Sequence, residues 1–175
     1  IISKQEIDAL LTVFQSVLDQ MCGYFSEGYI AKFERDLDKK GVLTDFKEEF
    51  TKYSSDGISW EEGRELLTFE IEAVTKAFAK ATNQNESSCE NIIDTYMNNY
   101  KVSIDDFAKQ VKEFIDQQDD NFRLNFFVDE VGQFIADNSK LMVNLQTIAE
   151  SLNTYCKGRA WIIVTAQEAL DKVVG

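Results

Sequence analysis

Two short apolar runs, separated by one amphipathic stretch, restrict this chain more than any other feature. Phe122–Val128 is apolar for most of its length and stops on two carboxylates, Asp129 and Glu130; Ala160–Thr165 is a second run, richer in β-branched residues. Both have the length and residue types of strands. Between them, beginning at Asn138 or Ser139, Leu141, Met142, Leu145, Ile148, Ala149 and Leu152 recur on one helical face, and Gly158 closes the stretch. Strand, helix, strand in that order is a crossover unit with parallel strands. Runs this apolar predict burial on both sheet faces, although Asn125 interrupts the first.

The residues before Phe122 carry a different pattern. Ser3 and Glu6 form a capping box, after which Ile7, Leu10, Leu11, Phe14, Val17, Leu18, Met21 and Phe25 lie along one helical face, with Gly28 as the expected interruption. Tyr29, Ile30, Phe33 and Leu37 continue the spacing to Gly41. Thr44 is placed to cap a short helix carrying Phe46, Phe50 and Tyr53. A second box, Ser59 with Glu62, opens a helix using Leu66, Leu67, Phe69, Ile71, Val74 and Phe78, and a third, Ser87 with Glu90, begins within the polar stretch 83–88 and leads into a helix containing Ile92, Ile93, Tyr96 and Met97. Ser103 caps a last helix with Phe107, Val111, Phe114 and Ile115 inward. Proline is absent, as suits a chain that is mostly helix. The expected fold is therefore predominantly α with a small parallel β-α-β unit: a helical region, 1–121, followed by a β-α-β portion, 122–175.

Composition removes several function classes. Histidine is absent, which excludes serine–histidine triads, cysteine–histidine dyads and histidine-ligated zinc. Cys22, Cys89 and Cys156 are odd in number and widely spaced, so they read as small core residues in a reducing cytoplasm rather than as a disulfide framework. A net charge of −13 opposes nucleic acid and anionic lipid, and the one basic pair, Lys39-Lys40, closes a helix where positive charge suits the backbone dipole. Neither direct nucleic-acid binding nor a membrane is expected, and no apolar run has membrane-spanning length.

Strand polarity sorts the remaining polar residues. In an open parallel sheet the ligand site lies beyond the carboxyl ends of the strands. Asp129 and Glu130 follow the first strand and Thr165 and Gln167 end or follow the second, so all four are expected on one rim, with Arg123 and Arg159 on the other. Nucleoside triphosphate hydrolysis suits such a rim: Asp129 to hold Mg²⁺, Glu130 to orient the attacking water, and Thr165 or Gln167 to sense the γ-phosphate or fix that water. Alternatively, the two acids simply open a loop, as acids after strands often do. No G-x-x-x-x-G-K-[ST] occurs in the chain, so the loop that cradles phosphates in such enzymes is missing.

The segment from Asn125 to Leu170, NFFVDEVGQFIADNSKLMVNLQTIAESLNTYCKGRAWIIVTAQEAL, resembles the Walker B to sensor-1 region of the large P-loop ATPase of bacterial BREX phage-exclusion systems, the BrxC/PglY type. The likeness is densest in FVDEVGQ, NLQTIAE and GRAWIIVTAQE and covers only the last third of the chain. It implies part of an AAA+-like P-loop ATPase domain in a cytoplasmic defence complex that includes a DNA methyltransferase. By position, Asp129 becomes the Walker B magnesium residue, Glu130 the catalytic glutamate, and Thr165 to Gln167 the sensor-1 region. ATP and Mg²⁺ are then cofactors of a parent protein, while these 175 residues are an internal piece expected to bind neither and to be inactive alone. The rival expectation is a non-catalytic helical module for protein–protein interaction. A carboxylate–metal nuclease is a poorer third, since further acidic ligands at strand ends are lacking.

Overall fold

The computed structural model describes residues 4–129 and 139–165, with side chains from 9 to 129 and from 142 to 165. Among these residues the elements run α1 (Lys4–Met21), α2 (Gly28–Lys39), α3 (Leu43–Tyr53), α4 (Trp60–Gly63), α5 (Leu67–Thr82), a 3₁₀ turn (Glu86–Ser88), α6 (Ile92–Asn99), α7 (Ile104–Asp116), β1 (Leu124–Val128), α8 (Ser139–Cys156) and β2 (Ala160–Val164). The chain is thus mostly helical with one small parallel sheet, as the sequence pattern predicts. The compact units do not follow the change from helix to strand at 121/122: residues 1–18 and 102–175 form one, and 19–101 the other. Packing rather than element type decides this, because α7 lies against α8 and Phe14 of α1 meets Phe107 and Phe126.

In the 19–101 unit the core is an aromatic cluster centred on Phe33. Its ring lies 5.1 Å from Phe46, 5.9 Å from Trp60, 5.7 Å from Phe78 and 5.3 Å from Tyr96. The Ser59 box forms as expected: Ser59 Oγ accepts from the Glu62 amide and Glu62 Oε2 accepts from the Ser59 amide. The helix it opens lasts only from Trp60 to Gly63, however, and α5 restarts at Leu67. That break resets the helical phase. The buried residues of α5 are Glu70, Ala73, Val74, Thr75, Ala77, Phe78 and Ala79, which leaves Phe69 84% exposed instead of inward as its spacing from Leu66 suggests.

Other local expectations shift for similar reasons. The first helix ends at Met21, and Gly23, at φ +86°, makes the turn assigned to Gly28. Gly28 opens α2 instead, where a Cβ would lie 2.1 Å from the Tyr100 hydroxyl. Val42 rather than Thr44 precedes α3, and α6 follows Asn91 without a Ser87–Glu90 box. Ser103 caps α7 as expected, accepting from the Asp106 amide at 3.0 Å. The Ser3 cap lies outside the described residues.

In the other unit β1 and β2 pair in parallel, Leu124 opposite Ala160 through Val128 opposite Val164. Leu124 and Phe126 point into a core shared with Phe14 and Phe107, whose rings are 5.4 and 5.8 Å from Phe126. The expectation of burial on both faces is not met. Phe127 is 72% and Trp161 58% exposed, so among the described residues the sheet is covered on one face only. Alternation from a two-residue pleat accounts for this, and exposed Asn125 falls on the open face. Cys89 and Cys156 are buried and Cys22 is half-buried, all three as free thiols.

Candidate functional site

The carboxyl ends of the two strands bring together residues that are 36 positions apart. The Thr165 amide donates to the Val128 carbonyl at 3.0 Å, extending the parallel ladder one step beyond the strands. Continuing the register by that step sets Asp129 opposite Thr165. The side chains meet there, the Thr165 hydroxyl donating to Asp129 Oδ1. Both residues are exposed, so this carboxylate is held in place at the protein surface rather than sealed in a core.

The opposite rim is occupied differently. Arg123 donates from Nη1 to the carbonyls of Asp120 and Phe122, at 3.1 and 2.8 Å. Arg159 pairs with the Asp116 carboxylate at the end of α7. Hydrogen bonding from Lys112, and then from Arg159, holds that carboxyl below the usual range. The five-residue strands lie between these arginines and Asp129 and Thr165, six residue steps or roughly 20 Å at the rise of a strand. A small cavity of about 210 Å³ lined by Leu152, Asn153, Ala160 and Trp161 also lies toward the amino end of β2, away from the Asp129 rim.

Of the four rim residues expected from sequence, the structure brings Asp129 and Thr165 into contact; Glu130 and Gln167 lie outside the described residues. The hydrogen bond between Asp129 and Thr165 escaped the sequence reading, which set Thr165 toward the γ-phosphate or the attacking water. Parallel register was the signal that could have found it, since the residues immediately after two paired strand ends must be neighbours.

The donor set can be tested against the magnesium that the rim chemistry calls for. No group of three or more acidic, cysteine or histidine side chains gathers among the described residues, so they build no protein cage for a metal. One carboxylate with an adjacent hydroxyl is a hard-oxygen pair. It suits a cation that keeps most of its waters and completes its shell on phosphate oxygens, the usual habit of Mg²⁺.

No protein-family model matches the chain, and no solved structure is significantly similar to it. Among the described residues no helix is long and apolar enough to cross a membrane.

Proposed function

We propose that residues 122–175 are the Walker B and sensor-1 portion of a P-loop, AAA+-like ATPase, and that the parent is the ATPase of a BREX-type phage-defence complex. The observation that carries the catalytic part of this reading is the contact between Asp129 and Thr165 at the carboxyl ends of adjacent parallel strands. That rim is where open parallel sheets place their ligands. The defence system and its partners, including a DNA methyltransferase, rest on the resemblance of the segment 125–170 alone.

In this reading each residue has a separate task. Asp129 would hold the magnesium of a Mg–ATP complex, an ion that neutralises charge on the phosphate oxygens when bound. Thr165 fixes the Asp129 carboxylate through its hydroxyl, so that the carboxylate need not be oriented when nucleotide arrives. Glu130 takes the general-base role, orienting and polarising the attacking water, and Gln167 monitors the terminal phosphate. The phosphate-cradling loop and its lysine have no counterpart in these residues, so a further segment of the parent must supply them.

The test is made on the parent ATPase, in which this stretch is joined to a phosphate loop. Glu130→Gln should retain ATP binding and lower turnover by about 10²-fold or more, the scale of a lost general base. Undiminished turnover would remove Glu130 from the mechanism. Copurification of the parent with the methyltransferase of the same system checks the partner separately; two proteins that never associate would leave the ATPase reading without its BREX setting.

A further inference from the structure

We propose that the groove between α5 and the segment Glu86–Glu90 is a docking site for a cationic amphipathic helix of a partner protein. This inference lies wholly within the 19–101 unit and is independent of the ATPase reading.

The starting observation is an aromatic side chain out of place. Phe69, in the first turn of α5, is 84% exposed; Ile71, two residues on in the same helix, is 38% exposed, and Leu66 just before the helix 49%. Single exposed apolar residues are ordinary, but a cluster bordering a groove marks an interaction surface. The groove is open, about 520 Å³ in volume, and α5 lines it with Thr68, exposed Phe69 and Ile71, and buried Thr75 besides Glu72 and Lys76. From Thr68 to Thr75, both of which line it, the wall follows α5 for roughly 10 Å at the rise of a helix. That length accepts about two turns of a second helix laid alongside, with an apolar side chain seated against Phe69.

Charge decides which helix. Glu72, Glu86 and Glu90 line the groove, against a single cation, Lys76. Lys76 is bound to Glu72 at 2.6 Å and also feels Glu86, so one cation stands against three carboxylates, Glu72 and exposed Glu86 and Glu90, and the field is negative. A second copy of this chain, at a net charge of −13, is opposed at long range, and nucleic acid and anionic lipid are opposed for the same reason. A helix with apolar residues on one face and lysine or arginine flanking them satisfies both the apolar wall and the acidic one.

The experiment uses the 175-residue chain and a fluorescein-labelled 18-residue peptide of leucine and lysine in helical periodicity, with its leucine–glutamate counterpart as control. Fluorescence anisotropy should show saturable one-to-one binding of the lysine peptide and none of the glutamate peptide. Phe69→Ser should weaken binding at least tenfold, as loss of a central aromatic anchor does. Glu86→Gln with Glu90→Gln should weaken it several-fold, whereas Asp119→Asn with Asp120→Asn, acids of the other unit, should leave it unchanged. Circular dichroism confirms that each variant keeps its helices. Absence of binding, equal binding of both peptides, indifference to Phe69→Ser, or an equal loss from the Asp119 and Asp120 changes would each overturn the proposal. Self-association abolished by Phe69→Ser would identify a second copy as the occupant and overturn it as well.

Discussion

The Trp60 indole N–H donates to Glu34 Oε1 at 2.6 Å, deep in the aromatic core of the 19–101 unit. Arg64 donates to the same oxygen at 2.7 Å, and the Phe25 amide donates to Oε2 at 2.7 Å. Both Glu34 and Trp60 are essentially inaccessible to water. A carboxylate in such a place is tolerated because three N–H groups replace its hydration, and they in turn depend on it.

Removing that acceptor should therefore be costly. Glu34→Ala leaves a guanidinium and an indole N–H without their acceptor and should destabilise the unit by about 3–5 kcal/mol. Glu34→Gln keeps the shape but trades one acceptor for a donor, for a smaller loss of about 1–3 kcal/mol. Urea unfolding followed by Trp60 fluorescence in a Trp161→Phe background isolates the effect. Equal stability of all three proteins would show that the network is incidental.

Adjacent residues of β1 should respond oppositely. Phe126 is buried against Phe14 and Phe107, so Phe126→Ala should cost about 3–5 kcal/mol. Phe127 is largely exposed, and Phe127→Thr should change stability by no more than about 0.5 kcal/mol. Chemical denaturation of both variants checks the register of the sheet. A reversed order would mean that the strand presents its other face to the core.

Alkaline pH should loosen the 19–101 unit. Burial, with a smaller effect of nearby Asp19, pushes the Tyr100 hydroxyl up to about 12. Burial and then a hydrogen bond to a carboxylate raise Tyr24, through Asp38, and Tyr96, through Asp36. The unfolded chain releases these protons near pH 10 and the folded one holds them longer, so the folded state binds more protons in between. Stability is then complete below pH 10 and falls as pH rises through the folded-state values. Urea midpoints should change little between pH 9 and 10 and fall clearly by pH 11, and Tyr100→Phe should flatten part of that fall; a rising midpoint would reverse the sign.

How much of this was legible in sequence depended on the range of the interaction. The Ser59 and Ser103 caps, the stop at Gly41 and the parallel crossover were readable because neighbours within a few positions, or strand polarity, decide them. The inward assignment of Phe69 failed because the chain leaves the helix after Gly63, and periodicity cannot count across such a break. Gly28 was misread as a breaker because its purpose is contact with Tyr100, 72 residues away. The division into units was hidden for the same reason, since only tertiary packing joins α1 and α7 to the strands. At the site, strand polarity sufficed to put Asp129 and Thr165 on one rim, whereas their hydrogen bond and the pairing of Arg159 with Asp116 required the register and the fold.

Steady-state ATP hydrolysis by the proposed parent protein, measured against Mg²⁺ concentration for wild type and Asp129→Asn, tests the central claim most directly. The account predicts Mg²⁺-dependent turnover in the wild type and a loss of about 10²-fold or more in the variant, the scale expected when a charge-stabilising contact is removed, with an unchanged circular dichroism spectrum. Equal turnover of the two proteins, or a wild type whose activity ignores Mg²⁺, would contradict it.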